Sequence, residues 1–485
     1  MPAMTEDFAD ALASYEAADP DGRPLARVMR PVVWCRPGDR VRDVAARIGD
    51  AGGSCAVLRA DDGLGIVTDH DFRRALAAGP LDGDAPVSGL ATVPALTVAD
   101  EASRATGLLR MVEHGVHHLV VTDPDGRVVG VVRAVDLAQA DVRDPLVVRS
   151  AVDAADSLDA LASAYSGLPG MLVDLRARGM PARHVGAVRA AVMEAAVRRI
   201  LALRADAAPA GVRTSWIVLG SLARREPLPR SDVDTALLWA DPPDGADDPA
   251  DGLRAYAGLI LEDLRRCGLS PCPNGANADN PLFSRSQAAW AAAARGWLRD
   301  PTHVGALLLS AMVADSRPVT NVELGGHLTD TIRSHTRTAQ FLQALLVEAL
   351  RWRPPAGFVR DFVVHHTGEH RGQLDLKAGG LTPVVSIARW IAIATSDTRG
   401  GTARRLARGA DAGLLTRDEL DTLVGGFDHV YTLLHDHEAR AEAADTYLDP
   451  RHLDRLARRH LRETFRAITV VQERAAREWL RRLTG

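Results

Sequence analysis

The residues with the clearest chemical potential lie between positions 220 and 234 and read Gly-Ser-Leu-Ala-Arg-Arg-Glu-Pro-Leu-Pro-Arg-Ser-Asp-Val-Asp. Apolar residues precede and follow this segment, so it is predicted to join two strands. Asp232 and Asp234 are two positions apart, and on a strand such residues point to the same face. Two carboxylates held this close repel each other unless a cation lies between them. A pair of oxygen ligands is typical of Mg²⁺, which is often bound by one or two carboxylates and by substrate phosphates.

Gly220 and Ser221 stand at the beginning of this segment, directly after the apolar residues 216 to 219. A glycine lets the main chain come close to a phosphate, and a helix that begins here would point free N–H groups at the anion. We therefore predict that Gly220 and Ser221 hold the phosphates of a nucleotide, and that Arg224 neutralises phosphate charge. The alternative interpretation is a surface turn whose aspartates only cap a loop.

The composition limits the class of protein. A chain of 485 residues is too long for one core and should form two to four domains. Its net charge of −5 argues against a nucleic-acid coat and against binding to an anionic membrane, because both kinds of protein are normally basic. There is no signal-peptide pattern and no apolar run long enough to cross a membrane. The four cysteines form no Cys-x-x-Cys pair, so we expect a reduced, cytoplasmic protein without a zinc site.

An internal repeat occupies residues 24 to 140. The segment Gly65-Ile-Val-Thr68-Asp-His-Asp71 returns as Gly-Val-Val-Arg133-Ala-Val-Asp136 in the second copy. An amphipathic helical pattern, a β-branched run and an Asp-Gly turn precede the segment in both copies. Each copy is too small to bury its own apolar face, so the two copies are predicted to pack together.

The rest of the chain has mainly helical patterns. Residues 1–22 are predicted to be a flexible N-terminus, and residues 150–210 a helical connector. The apolar run 307 to 313 is predicted to be a strand that ends at Asp315. From residue 326 onward the pattern is helical, with the clearest helices at 384–396, 417–438 and 451–482.

The segment from Gly-Ser to Asp-x-Asp resembles the signature of the nucleotidyltransferase superfamily. The resemblance implies in-line attack of a hydroxyl or phosphate on the α-phosphorus of an NTP, with two Mg²⁺ ions holding the attacking and leaving oxygens. Such a site needs three carboxylates, of which Asp232 and Asp234 are two. The third usually comes from a neighbouring strand, and Asp315 is the candidate. It would bind the second metal ion or take the proton from the nucleophile.

The repeat resembles a tandem pair of CBS domains, which in many proteins bind adenosine nucleotides. The first copy keeps the ligand motif as Gly65, Thr68 and Asp71. The resemblance implies that Thr68 contacts phosphate or ribose and that Asp71 contacts the ribose hydroxyls. The second copy keeps Asp136 but has Arg133 where a hydroxyl is expected, and this arginine could still meet a phosphate. CBS pairs often dimerise, so the resemblance implies a homodimer. A CBS pair used only for dimerisation is the alternative.

Almost the whole chain resembles bacterial proteins that join a CBS pair to a nucleotidyltransferase domain of undefined substrate. Those proteins are related to the uridylyltransferase of the signalling protein PII. The shared motifs include Asn280-Pro281, Asp315-x-Arg317-Pro318 and Asp375-Leu-Lys377-x-Gly-Gly-Leu. By this resemblance Lys377, the only lysine in the chain, lies near the nucleotide. The resemblance implies a signal-transduction enzyme that is uridylyltransferase-like, with a PII-like protein as a candidate acceptor.

Two other patterns suggest metal chemistry. His366-x-x-Glu369-His370 matches the pattern of some zinc peptidases. That chemistry needs a helix, and Gly368 inside the pattern disfavours one. His435-Asp436 is similar to the metal pair of HD-type phosphohydrolases, but the chain is too short to add that separate domain. We therefore expect neither hydrolytic activity.

These observations predict an α+β multidomain protein. Its parts are a tandem CBS pair at 23–145, the helical connector, a nucleotidyltransferase-type mixed β-sheet with helices at 211–325, and a C-terminal helical bundle for substrate binding at 326–485. The expected function is Mg²⁺-dependent transfer of a nucleotidyl group from an NTP to a protein or small-molecule acceptor, regulated by adenine nucleotide at the CBS pair. The alternative is a non-catalytic, nucleotide-sensing regulatory protein that acts through a partner.

Overall fold

The computed structural model describes residues 25–60, 62–137, 145–243, 245–303, 305–334, 338–355, 362, 364, 369–440 and 446–484. The predicted flexible N-terminus at 1–22 and His366 of the zinc-peptidase pattern lie outside the described residues. The chain divides into two compact units, one within Tyr15–Ser150 and one that includes Ala151–Gly485. The architecture is α+β and multidomain, as predicted.

The first unit contains two three-stranded sheets, one for each copy of the repeat. Their strands are β1 (Trp34–Cys35), β2 (Cys55–Ala60) and β3 (Gly63–Thr68), followed by β4 (Thr97–Ala99), β5 (His118–Thr122) and β6 (Val128–Arg133). The helices are α1 (Val41–Asp50), α2 (Asp69–Ala78), α3 (Arg104–His114) and α4 (Ala134–Leu137). In both sheets the first two strands are parallel and the last two form an antiparallel hairpin.

The two copies pack against each other as predicted. One apolar cluster contains Val57 and Ile66 from the first copy together with Val120 and Val131 from the second. These residues lie on hairpin strands, whose β-branched side chains suit a buried pleated face. The shared cluster explains how two short repeats bury the apolar surface that neither could bury alone.

The second unit is built on a mixed sheet. Its strands are β7 (Thr214–Leu219), β8 (Thr235–Trp239), β9 (Ser284–Ser286) and β10 (Ser316–Pro318), in the order β10-β7-β8-β9. β7 is antiparallel to both of its neighbours, and β9 is parallel to β8. Every residue of β8 is buried, so helices must cover both faces of the sheet.

Helices precede the sheet and connect its strands. They are α5 (Pro145–Ala154), α6 (Leu158–Ser166), α7 (Leu168–Ala177), α8 (Ala182–Leu203), α9 (Gly220–Ala223), α10 (Ala250–Arg266), α11 (Gln287–Arg299) and α12 (Ala306–Ala314). The predicted helical connector thus contains α6, α7 and α8. The single-turn helix α9 lies in the predicted place, between β7 and the aspartates.

The predicted strand at 307 to 313 is wrong, because these residues belong to helix α12. An apolar run of this length can be a buried strand or a buried helix, and periodicity alone does not separate the two. Leucine, alanine and methionine dominate the run, and all three are strong helix formers. Asp315 therefore follows a helix and immediately precedes β10.

Beyond β10 the chain is mainly helical. The elements are α13 (Val322–Ser334), α14 (Ala339–Ala349), β11 (Leu374–Asp375), a π-helical turn (Lys377–Leu381), α15 (Thr382–Ala394), α16 (Thr402–Asp411), α17 (Arg417–Arg440), β12 (Tyr447–Leu448) and α18 (Arg455–Thr484). The three clearest predicted helices correspond to α15, α17 and α18. None of the described helices is long and apolar enough to cross a membrane.

One apolar core joins the sheet to the C-terminal helices. It contains Ile217 of β7 and Leu238 of β8 together with Ile387, Phe427 and Phe465 of α15, α17 and α18. The two regions that we predicted as a catalytic domain and a substrate-binding domain thus share buried surface. Residues from both can therefore meet at one site.

Candidate active site

Asp232 and Asp234 lie in an extended segment that leads directly into β8. The N–H of Leu219 donates to the carbonyl of Asp234 at 2.9 Å, and the N–H of Val233 donates to that of Ser270 at 2.8 Å. Because Val233 between them is fully buried, its side chain anchors the segment on the opposite side. The main chain therefore presents both carboxylates on one face.

The structure brings a third potential metal ligand to the aspartates. One carboxylate oxygen each of Asp232 and Asp234 and the sulfur of Cys272 all lie within 4.8 Å of one another. Cys272 is buried in the loop between α10 and β9. The side chain of Asn277 closes this loop, because it accepts from the N–H of Cys272 and donates to its carbonyl. Sequence reasoning missed Cys272, because it belongs to no motif.

The pKa of Asp234 is raised above its ordinary value. Burial is the main cause, and the negative charge of Asp232 adds to it. Contact with Cys272 and the charges of Lys377 and Arg224 act in the opposite direction. Burial, together with Asp234, also raises the pKa of the Cys272 thiol to about 12. A cation bound between the carboxylates would relieve this repulsion, since it favours their charged forms.

Gly220 brings the main chain against Asp234. Its φ of 61° is left-handed, and a Cβ at this position would lie 2.7 Å from a carboxylate oxygen of Asp234. A larger residue would therefore collide with the proposed metal ligand. The N–H of Gly220 donates to the carbonyl of Asp315 at 2.9 Å. This N–H is therefore not free to bind a phosphate, although we predicted that Gly220 would do so. Ser221, the next residue, is partly exposed and stays the predicted phosphate-binding residue of this turn.

Asp315 is buried in a cluster of arginines, which contradicts the prediction that it binds a metal ion. Its side chain is 0% exposed, and its oxygens accept from Arg224 and Arg389 at 2.5 Å each and from Arg405. Burial alone would raise its pKa, but the three guanidinium groups outweigh burial and hold the pKa far below its ordinary value. Within the described residues, Asp315 does not belong to the group of converging metal ligands.

The charge of Arg224 is neutralised by carboxylates. This contradicts our prediction that Arg224 neutralises phosphate charge. It is buried, and its Nε donates to Glu226 at 3.0 Å while Nη1 donates to Asp315. Glu226 also accepts from the N–H and the hydroxyl of Thr402, at the beginning of α16. Glu226 therefore holds the Arg224 guanidinium in place. These contacts tie the segment after Gly220 to the C-terminal helices.

Arg317, in the motif that Asp315 begins, closes the single-turn helix α9. Its guanidinium donates to the carbonyls of Leu222 at 2.9 Å and Ala223 at 3.1 Å. A helix this short leaves most of its carbonyls without intrahelical partners. Arg317 supplies partners for the carbonyls at its end, and its ion pair with Glu194 of α8 holds the guanidinium there.

Lys377 approaches the aspartates from the C-terminal region. It is exposed at the start of the π-helical turn, and its charge lowers the pKa of Asp234. The next two glycines of the motif are required by packing. A Cβ at Gly379 would lie 2.6 Å from Pro355, and a Cβ at Gly380 would lie 2.5 Å from Val430. Close packing of this turn therefore decides where Lys377 lies.

The first copy of the repeat places the predicted ligand residues together at the junction of β3 and α2. Asp71 accepts from the N–H and the hydroxyl of Thr68, at 2.9 and 2.8 Å. The only guanidinium that contacts Asp71 in the described structure is that of the exposed Arg74. A Cβ at Gly65 would come within 3.0 Å of Val93, so the chain is closely packed here.

The second copy places its predicted ligand residues in an ion-pair cluster. Arg133 donates to both oxygens of Asp136, at 2.9 and 2.8 Å, and Arg30 donates to the same carboxylate at 2.9 Å. Burial would raise the pKa of Asp136, but these hydrogen bonds outweigh it and lower the pKa. Both Arg133 and Asp136 thus have partners within the protein.

The other candidate metal pair is also engaged within the protein. Asp436 accepts from Arg176 at 2.9 and 3.0 Å and contacts the neighbouring His435. No further metal-ligating side chain joins this pair in the part of the chain that the structure describes. These contacts give the pair a structural role.

Family models match most of the chain. Residues 167–304 match the model described as "Putative nucleotidyltransferase DUF294", and residues 339–479 match "Putative nucleotidyltransferase substrate binding domain". Residues 25–78 and 87–143 each match the CBS domain model. The chain therefore joins a CBS pair to a nucleotidyltransferase region of the DUF294 type and to its C-terminal domain.

Solved structures of CBS proteins are similar to the first unit. A CBS domain protein from Pyrobaculum aerophilum, complexed with AMP, is 29% identical over 24% of this chain and 89% of its own, with a TM-score of 0.22. A conserved CBS domain protein from Thermoplasma acidophilum is 18% identical over 25% of this chain and 71% of its own, with a TM-score of 0.24. A search of curated proteins found no match.

Proposed function

We propose that this protein transfers a nucleotidyl group from an NTP to a hydroxyl or phosphate of a protein or small-molecule acceptor, with Mg²⁺ bound at Asp232 and Asp234. The observation that carries the proposal is the convergence of these two carboxylates beside Gly220, within the region that matches a nucleotidyltransferase model. The donor set suits a hard cation, because oxygen ligands dominate it.

The residues of the chain have separate tasks in this proposal. Asp232 and Asp234 would hold the cation, and Ser221 would border the phosphates. The exposed ammonium of Lys377 would contact a phosphate oxygen as a compact point charge. Bound Mg²⁺ would neutralise charge that develops on the phosphoryl oxygens. The third carboxylate of a two-metal site is lacking among the described residues that converge here, so we propose one protein-held ion.

The reaction that fits this site is an in-line displacement at the α-phosphorus. The acceptor oxygen forms the new bond to phosphorus while the bond to the oxygen that bridges the α- and β-phosphates breaks. A hydroxyl acceptor releases its proton to water, and pyrophosphate leaves with the electron pair of the broken bond. The protein contributes mainly by placing the triphosphate and the acceptor in line, since orientation supplies a large part of such a rate enhancement.

We extend the proposal to regulation by the CBS pair. Gly65, Thr68 and Asp71 would bind an adenine nucleotide, which would act on the enzyme by favouring one conformation of the pair over another. The resemblance to the PII uridylyltransferase supports a PII-like protein as the acceptor and UTP as one donor to test. The resemblance of the repeat to CBS pairs, which often dimerise, supports a homodimer that associates through the pair. The cysteine pattern supports a cytoplasmic location.

The test supplies labelled ATP, UTP, CTP and GTP with Mg²⁺ to the full chain, together with fractions of a bacterial lysate as acceptors. We expect pyrophosphate release and a labelled product with one of the four. The Asp232→Asn and Asp234→Asn variants should lose both signals. Asp241→Asn is the matched control, because Asp241 follows the far end of β8 and caps α11.

Two results would count against the proposal. One is the absence of turnover with every NTP and every fraction, which would favour the non-catalytic regulatory protein. The other is turnover that persists unchanged in the Asp234→Asn variant, which would place the chemistry elsewhere. Retained folding of the variants is checked by circular dichroism.

A further inference from the structure

Arg389 of α15 is connected to the turn at Gly220 through a single residue. Its Nε donates to the side chain of Asp315 at 2.5 Å. The main-chain carbonyl of the same aspartate accepts from the N–H of Gly220 at 2.9 Å. The C-terminal region therefore places a guanidinium group close to the turn that lies beside Asp234.

Arg389 differs from the other two arginines that contact Asp315. The side chains of Arg224 and Arg405 are only 8% and 3% exposed, and each uses at least two nitrogens in hydrogen bonds. The side chain of Arg389 is 25% exposed, and within the described structure it contacts one partner, Asp315, through Nε. Within the part of the chain that the structure describes, no hydrogen bond engages either terminal nitrogen of Arg389.

The surroundings of Arg389 carry an excess of positive charge. The guanidinium groups of Arg224, Arg389 and Arg405 face the carboxylates of Asp315 and Glu226, which leaves one positive charge uncompensated within this set. A buried charge without a counterion is costly, so such a cluster gains stability from an anion. A guanidinium is well suited to a phosphate because its donors match the spacing of the oxygens.

We propose that Arg389 binds the polyphosphate of the nucleotide substrate and that Asp315 is the residue that positions it. This inference rests on the proposed function for the identity of the substrate. It assigns to the C-terminal region a direct part in phosphate binding. It also gives Asp315 a role that replaces the metal-binding role expected from the sequence.

Inorganic tripolyphosphate is the probe, because it carries the phosphate chain without base or sugar. Its binding to the full chain is measured by isothermal titration calorimetry. We expect wild type to bind and Arg389→Met to bind at least about tenfold more weakly, which corresponds to the loss of one charge-assisted contact. Arg389→Lys should recover part of the affinity, because it keeps the charge but loses the fork.

Arg408→Met is the matched control. Arg408 lies on the neighbouring α16 and pairs with Asp397, so the same change in charge and size is made outside the Asp315 cluster. Its affinity for tripolyphosphate should equal that of wild type. The proposal is overturned if wild type does not bind tripolyphosphate, or if Arg389→Met and Arg408→Met bind equally tightly.

The positioning role of Asp315 has its own test. Asp315→Asn should weaken tripolyphosphate binding in the wild-type background but not in the Arg389→Met background, because it acts through Arg389. Equal weakening in both backgrounds would indicate general disruption and would overturn the positioning role. The proposed function fails separately, if wild type binds tripolyphosphate but releases pyrophosphate from no NTP.

Discussion

Asp234 and Asp315 lie on opposite sides of β7, and both contact or closely approach Gly220, yet their surroundings are opposite. Asp234 meets Asp232 and a thiol, and its pKa is raised. Asp315 meets three guanidinium groups, and its pKa is lowered. The first carboxylate gains from an added cation, whereas the second already has its counterions. The same residue type thus has two different electrostatic environments at one turn, and the neighbouring charges decide which.

The CBS pair repeats this contrast on a smaller scale. Asp71 in the first copy contacts one exposed arginine, Arg74. Asp136 in the second copy is enclosed by Arg133 and Arg30. A carboxylate with two guanidinium partners has less capacity to accept from a ribose hydroxyl. The two copies therefore offer different surroundings to a ligand at these two positions.

The largest expected effect is on stability, for Asp315→Ala. Removal of this carboxylate takes the shared counterion from three guanidinium groups, and two of them, those of Arg224 and Arg405, are buried. We therefore expect a loss of about 3–5 kcal/mol in the free energy of unfolding. Urea denaturation measures it. Asp232→Ala is the control and should change stability by less than about 1 kcal/mol, because Asp232 is partly exposed and pairs with no guanidinium group among the described residues. Similar losses of stability for both variants would contradict the difference described between the surroundings of these carboxylates.

The second expected effect is on catalysis, for Asp234→Asn. Loss of a metal-binding carboxylate should lower the rate of nucleotidyl transfer by at least about 100-fold, or about 2.7 kcal/mol of transition-state stabilisation. Steady-state release of pyrophosphate measures it. The variant should unfold at the same urea concentration as wild type or higher. If the variant were inactive only because it had unfolded, this result would contradict the assignment of Asp234 to the proposed metal site.

The third expected effect is on adenine nucleotide binding at the CBS pair. Asp71→Asn should weaken binding about tenfold, since it replaces one carboxylate oxygen that could accept from a ribose hydroxyl by an NH₂ group and removes the negative charge. Asp136→Asn should leave binding unchanged, because Arg133 and Arg30 already occupy that carboxylate. Calorimetric titration with AMP and ATP would show one site per chain. Two equal sites per chain would contradict the prediction that only the first copy binds the nucleotide.

The smallest expected effect is a pH dependence of opposite sign for the two aspartates. Asp315 has a folded pKa below its ordinary 3.8, so its stabilising contribution is complete above that pH and is lost as the pH falls further. Asp234 has a raised folded pKa, so its charge destabilises the fold increasingly as the pH rises through 3.8. The difference in stability between wild type and Asp315→Asn should therefore shrink in acid. Asp234→Asn should become more stable relative to wild type as the pH rises.

Urea denaturation of the three proteins between pH 3 and pH 7 provides the measurement. It is done without added metal, because a bound cation would lower the pKa of Asp234. Parallel pH profiles for the two variants would show that the surroundings of the two carboxylates do not differ as described.

Local patterns were enough to predict much of the fold. The repeated hairpins, the strands on either side of the Gly220–Asp234 segment and the long helices α15, α17 and α18 follow from apolar periodicity and turn residues. The convergence of Asp232 and Asp234 follows from their spacing on an extended chain. Helix α12 was misread as a strand, because a short run that is apolar on all sides has no periodicity to separate the two.

Three residues of the site depended on contacts between distant parts of the chain. Cys272 meets the aspartates because the loop before β9 folds back beside β8. Arg389 and Arg405 meet Asp315 because α15 and α16 pack against the sheet in one shared core. These contacts arise from packing between elements, so the spacing of the residues along the chain does not predict them.

The sequence by itself determined which chemical groups the protein owns and which of them, a few residues apart, face the same way. Backbone geometry imposes such short-range relations on any chain with this spacing. Only the tertiary structure decided that Asp234 stays open to a cation while Asp315 is closed by arginines. The reason is that the charge and solvation of a carboxylate depend on every group within a few ångströms, and packing brings most of those groups from far along the chain.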